Sequence, residues 1–179
     1  YLVIQDGTLD VTSAQDGLKP TAATVAQSVG IVISGGTVTV NAGDDGAHAE
    51  GDLAITGGTV TIAKSSEGLE GHTITIAGGS TSVTSSDDGV NASSGTGSTS
   101  GGGGGGMADD GSSLLISGGT LTVNASGDGL DSNGSITISG GTTSVAGPTG
   151  NGNGSLDSNA GITYTGGTLI AAGSAGMAE

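Results

Sequence analysis

The chain has no cysteine, two prolines, an aromatic content of 1% and only two basic side chains of the lysine or arginine type, Lys19 and Lys64, in 179 residues. Without cysteine, disulfides and thiolate metal sites are both excluded. Without large aromatics there is no ordinary globular core, so stability has to come from regularity. Against two lysines stand 17 Asp and Glu, a formal charge of −15. Nucleic acid is excluded as a partner, because phosphate binding needs basic side chains that displace counterions. Anionic membranes are disfavoured for the same reason. Membrane insertion is not expected either, since no apolar run approaches the roughly 18 residues of a spanning helix. So many carboxylates can instead collect cations. The chain begins at Tyr1 without a methionine and stops at Glu179 just after a strand-like run, and it reads as one domain, 1–179, cut from a longer chain.

What is abundant is glycine, 40 residues of it, and it is placed with a period. Gly-Gly pairs begin at Gly35, Gly57, Gly78, Gly118, Gly140 and Gly166, at spacings of 22, 21, 40, 22 and 26 residues. An earlier copy is Asp6-Gly7, which makes seven rungs of about 21–22 residues. The spacing of 40 fits two rungs or one rung with a long loop. Aliphatic residues alternate on both sides of each pair, for example Ile31 and Ile33 before Gly35, and Val38 and Val40 after it. Period-two alternation of β-branched residues marks short strands with one buried face. A third inward column, Leu18, Ala47, Leu69, Val90, Leu130 and Leu156, follows an acidic-glycine pair in most copies. Three strands per repeat predict an all-β, right-handed parallel β-helix, whose seven rungs at ~4.8 Å span on the order of 35 Å. Residues 93–113, with six consecutive glycines from Gly101 to Gly106, read as a flexible loop insertion. Pro148 to Gly154 read as a smaller bulge.

Stacking converts a sequence period into a column on one wall, and two polar columns here are acidic. The first is Asp16, Asp45, Glu67, Asp88 and Asp128, with Asp44 and Asp87 immediately upstream of two of them. The second is Lys19, His48, Glu70, Asn91, Asp131 and Asp157. Asp-Gly pairs also serve as turns that tolerate left-handed backbone. A turn needs one such residue, however, and the doubled Asp44-Asp45 and Asp87-Asp88 face Glu67 and Glu70 on the rung between them. Carboxylates ~5 Å apart repel unless a cation or a proton intervenes. Calcium suits them, because it takes six to eight oxygens in irregular geometry. The expected calcium ligands are Asp44, Asp45, Glu67, Glu70, Asp87, Asp88, Asn91, Asp128 and Asp131. His48 reads as a solvated neighbour, since a transition metal would want more imidazole or thiolate.

A different wall carries hydroxyls, from Thr37 and Thr39 to Thr142 and Ser144. Such Thr-x-Thr ladders would suit an ice-binding solenoid, although threonine is also a good exposed strand former. Catalysis finds little support. Lyases of acidic sugars on this kind of fold use a Lys or Arg base, and only Lys19 and Lys64 are present. No catalytic residues are assigned.

The runs Asp16-Gly17-Leu18-Lys19, Gly35 through Gly46, Ser66-Glu67-Gly68-Leu69-Glu70-Gly71, Ser85 through Ala92 and Gly127 through Gly134 resemble the clostridial-type carbohydrate-binding domain-containing family of surface and secreted proteins. The closing run Gly166 to Met177 resembles it too, and the likeness covers essentially the whole chain. It implies a right-handed parallel β-helix, similar in fold to some pectate lyases, that binds calcium and plant-type polysaccharides such as polygalacturonate and cellulose. It also implies a secreted or cell-surface location. Likeness of fold to lyases does not carry activity across. Binding of neutral cellulose usually relies on aromatic platforms, and the chain offers only Tyr1 and Tyr164, the latter expected to point inward. An acidic polysaccharide bridged through calcium is the simpler expectation, with a purely structural rung array in an adhesin or fibre as the main alternative.

Overall fold

A computed structural model of the chain describes residues 1–21, 29–94 and 108–174. It is all-β: fourteen strands, no helix among the described residues, and every strand pair parallel. The strands form one curled sheet. β1 (Leu2–Ile4) and β2 (Thr8–Thr12) both pair with the long β3 (Ile31–Asn41), which pairs with the longer β4 (Ala47–Lys64). β4 then divides its partners between β5 (Leu69–Ile76) and β6 (Ser80–Ser85). From there one stack runs through β8 (Ser113–Ile116), β11 (Ser135–Ile138) and β13 (Ile162–Tyr164). A second runs through β9 (Thr120–Ala125), β12 (Thr142–Ala146) and β14 (Thr168–Ala172). A third, shorter stack joins the start of β5 to β7 (Val90–Ala92) and β10 (Leu130–Ser132).

The register matches the columns expected from the alternation. In the first stack Ile31, Leu53, Ile74, Leu114 and Ile136 pair in succession, and so do Ile33, Ile55, Ile76, Ile116 and Ile138. The third column is continuous from Leu18 through Ala47, Leu69, Val90 and Leu130 to Leu156. All but Leu156 are buried, and these aliphatic ladders are the core. Short aliphatic side chains stacked on their own kind suit this narrow space, which is why so few aromatics suffice. The last pair, Ile162 and Tyr164, keeps the register but is 44% and 52% exposed, so Tyr164 is not buried as expected. Its hydroxyl donates to the Gly167 carbonyl at 2.6 Å.

The 40-residue gap between glycine pairs is one rung, not two, because β5 pairs directly with β8 and β6 with β9. Of the insertion expected over 93–113, residues 95–107 lie outside the described residues. Its flanks are held together by Asp110, whose carboxylate accepts the Ser94 and Ser112 amide N–H groups at 2.9 Å each and the Ser112 hydroxyl. Burial opposes ionisation there, but these hydrogen bonds outweigh it and hold Asp110 down at about 2.

The two glycines of each corner are required for different reasons. A Cβ on the first would strike the rung beside it: at Gly57 it would lie 2.5 Å from the Ser34 carbonyl oxygen, and at Gly118 2.4 Å from that of Ala77. The second has positive φ in every copy, from +74° to +92°, where an L side chain is strained. The glycines that follow the acidic residues obey a third rule. Gly17, Gly46, Gly68, Gly89 and Gly129 do not have positive φ, and neither does any non-glycine residue described. The left-handed turn therefore does not account for these Asp-Gly and Glu-Gly pairs. The glycine is there for space: a Cβ on Gly46 would fall 2.4 Å from Ile62 Cγ2, and one on Gly129 2.2 Å from Val145 Cγ1.

Candidate functional site

The close-packed glycines fix where the acidic residues stand. Gly17, Gly46, Gly68 and Gly89 donate to the carbonyls of Asp45, Glu67, Asp88 and Asp128 at 2.8–2.9 Å, so the first acidic column stacks rung upon rung. The column continues to Gly154, whose carbonyl accepts from Gly129 at 3.1 Å after the Pro148 to Gly154 bulge. The second column is set by strand pairing: His48 with Glu70, Glu70 with Asn91, and Asn91 with Asp131. Asp157 follows Leu156, the partner of Leu130, and so ends that column beside Asp131.

Part of the acidic column is structural. Asp16 Oδ1 accepts the Asp45 amide at 3.3 Å, Asp88 Oδ1 accepts the Asp128 amide at 2.6 Å, and Asp128 Oδ1 accepts the Gly154 amide. Each carboxylate thus satisfies a backbone donor of the neighbouring rung with one oxygen and leaves the other for a further partner, which at Asp16 is Lys19.

Five of the nine expected ligands fall into two converging groups. In the first, carboxylate oxygens of Asp45, Glu67 and Glu70 lie within 4.8 Å of one another, and those of Asp16 and Asp45 lie equally close to a nitrogen of His48. His48 is not the solvated neighbour expected. Its Nδ1 lies 2.9 Å from Asp45 Oδ2 and 2.5 Å from Glu70 Oε2, with only 18% of the side chain exposed. Hydrogen bonds to Asp45 and then Glu70, outweighing burial, raise its pKa to about 10, so it is an imidazolium at neutral pH. Burial alone would raise Asp45, but the bonds to His48 and Glu70 prevail and hold it below the usual carboxylate range. Lys19 adds a second cation, 2.6 Å from Asp16 Oδ2.

In the second group, Asp128, Asp131 and Asp157 converge within the same 4.8 Å, with Asp88 alongside. None of the chain's lysines or histidines makes an ion pair there. Burial, reinforced by the charges of Asp88, Asp128 and Asp157, pushes Asp131 up to about 8. Burial, together with Asp87, Asp128 and Asp157, pushes Asp88 up to about 6, and Asp128 is raised as well. In the first group Glu67 is raised to about 7 mainly by burial, with its Oε2 accepting from Asn91 Nδ2 at 3.0 Å. Asn91 Oδ1 is buried without a hydrogen-bond partner. Asp44 and Asp87 are exposed and belong to neither converging group. Asp16 and Asp157, absent from the expected ligand set, do belong; their column positions were the signal.

The donor set in the second group suits a hard cation: carboxylate oxygens on separate rungs, no nitrogen or sulfur, and a neighbouring amide oxygen left unpaired. The first group fits less well, because a protonated nitrogen already sits between its carboxylates.

No curated protein and no solved structure matches the chain. A family model described as carbohydrate-binding domain-containing protein matches residues 1–111, more than half of the 179 residues and inclusive of the first acidic group. By that match, the chain belongs to the carbohydrate-binding domain-containing protein family.

Proposed function

We propose that the chain is an extracellular, non-catalytic module that binds acidic plant-type polysaccharide through calcium, and that its curled sheet closes into a right-handed parallel β-helix. Family membership supports carbohydrate binding in the broad sense. The observation that carries the calcium reading is the convergence of Asp128, Asp131 and Asp157 within 4.8 Å without a cationic side chain. These residues, with Asp88, would hold the ion, whose remaining coordination positions would be open to the carboxylates of a polyuronate chain. A rigid stack of rungs cannot let its carboxylates move apart, so the folded chain gains more from a cation than a flexible one would. Of the two lysines that could serve as a lyase-type base, Lys19 is engaged by Asp16.

Titration calorimetry with polygalacturonate, with calcium and again with chelator, tests the proposal. Uptake of the glycan only with calcium supports it. Uptake unaffected by chelator, or uptake of neutral cellulose alone, would sink the calcium bridge. Absence of any glycan binding would favour a structural solenoid.

One observation favours a second reading. Thr37, Thr59, Ser80, Thr120 and Thr142 pair in unbroken register, as do Thr39, Thr61, Ser82, Thr122 and Ser144, giving two outward hydroxyl ladders. Thermal hysteresis in freezing solutions would assign that wall to ice, and its absence would leave these residues as ordinary exposed strand formers.

A further inference from the structure

The second column changes character along its length: Lys19 and His48 at one end, Asp131 and Asp157 at the other, on the same backbone positions. His48 is strand-paired with Glu70 and its amide donates to the Leu18 carbonyl at 2.9 Å, so its ring is directed onto the acidic wall by the register itself. Asp45, three residues earlier, faces it from the first column. One ring nitrogen therefore occupies the point at which Asp45 Oδ2 and Glu70 Oε2 meet.

We propose that the His48 ring, seated between Asp45 and Glu70, fills the Asp45–Glu67–Glu70 pocket and closes it to metal ions, so that one residue sets how many cations the acidic wall takes up. The open site of the wall is then the Asp128–Asp131–Asp157 group, and this part of the inference rests on the calcium reading above. A metal entering the first pocket would have to break both contacts of Nδ1 and displace the ring from the point at which the two carboxylates meet. Glu50, 3.6 Å from Nε2 and 58% exposed, holds the far side of the ring only loosely, so the grip comes from the buried pair.

The test is calcium stoichiometry by titration calorimetry on the chain and on the variants H48Q, H48K, D45N and D131N, with circular dichroism to establish that each keeps its β signal. The expected result is one ion for the native chain, retained in D45N and lost in D131N. H48Q, which removes the charge at similar size, should take up one ion more, and the double variant H48Q/D45N should lose that extra ion. H48K, which restores a cation, should return the count to the native value. An unchanged count in H48Q would overturn the proposal, and so would loss of native uptake in D45N, because the first pocket would then already accept metal. A native chain without calcium uptake, alongside an H48Q variant that binds one ion, would remove the calcium reading of the second group while leaving the role of His48 standing. Should H48Q fold poorly, H48K and D45N still decide between an occupied and an open first pocket.

Discussion

The two ends of the acidic wall share a backbone and differ in how their charge is balanced. Around Asp45 the carboxylates enclose an imidazolium, and Asp45 stays ionised. Around Asp131 the neighbouring positions hold further carboxylates and the Asn91 amide, with no cationic side chain among them, and burial pushes Asp131 towards its protonated form. Burying a carboxylate costs free energy unless a partner compensates. The first end meets that cost from within the chain, while the second leaves it to protons or to an ion from outside. A stacked repeat can therefore carry a finished ion-pair cluster and an unfinished one side by side, because the scaffold tolerates either set of side chains.

The largest expected effect tests the shared half of this comparison. Gly46→Ala and Gly129→Ala each force a Cβ to within 2.6 Å of a neighbouring-rung carbonyl oxygen as well as into a core methyl. Overpacking of this kind costs about 1–3 kcal/mol, and backbone overlap places these at the upper end. Urea melts should show both variants destabilised alike, at both ends of the wall. A large effect at one end only would mean that the two scaffolds are not equivalent.

Next come substitutions expected to act in opposite directions. His48→Ala leaves Asp45 and Glu70 buried without their cation and should cost about 2 kcal/mol, somewhat below a fully buried broken pair. Asp131→Asn removes a charge from an uncompensated cluster and should stabilise the calcium-free chain at pH 8 by roughly 1 kcal/mol. Loss of stability in both, measured by the same urea melts, would show that the second cluster is internally balanced after all.

The scaffold behind this comparison was readable from the sequence because it is periodic. Aliphatic alternation and Gly-Gly spacing determine the pairing register, and register is what places Glu70 beside His48 and Asp131 beside Asn91. What the period could not convey is which side chains meet across rungs. His48 looked like a solvated residue because nothing in its own segment shows that Glu70 lies 22 positions away at hydrogen-bond distance. The glycines after the acidic residues looked like turn formers, whereas their reason is a methyl group such as Val145 Cγ1, packed from another part of the rung. Thr81 and Thr143 stand at inward strand positions, and only the packed interior shows their hydroxyls buried without partners.

The pH dependence distinguishes the raised carboxylates from His48 by where each window begins. Asp131, Glu67 and Asp88 have folded pKa values raised to about 8, 7 and 6, from ordinary values of 3.8, 4.5 and 3.8. Between about pH 4 and 8 the folded chain thus holds protons that the unfolded chain releases, so stability falls as pH rises. His48, raised from 6.5 to about 10, contributes stability that is complete below about 6.5 and lost only as pH climbs towards 10. Melting in chelator should therefore drop by several degrees from pH 5 to pH 8; Asp131→Asn should flatten that drop across the window, whereas His48→Gln should flatten only its part above about pH 6.5 and leave the fall from pH 5 to 6.5 intact. Saturating calcium should oppose the drop at pH 8, by ~2.7 kcal/mol at 100 times its dissociation constant. A flat profile in chelator would remove the uncompensated-cluster description.

The smallest effect concerns the other cation of the first end. Lys19 lies 2.6 Å from Asp16, but the lysine side chain is 36% exposed, twice the 18% of His48. An exposed ion pair gains little Coulomb energy in water, loses side-chain entropy, and is screened by salt. Lys19→Gln should therefore cost no more than about 0.5 kcal/mol at low ionic strength, and the difference should fade in 0.5 M salt, which is ~4 Å of screening length. The His48→Ala penalty should persist in the same salt, because the Asp45–His48–Glu70 contacts are half-buried. If Lys19→Gln instead costs as much as His48→Ala and salt erases both, then the two ends differ through net charge spread along the wall. If the two variants part as expected, the difference is made locally, by one imidazole seated between two carboxylates.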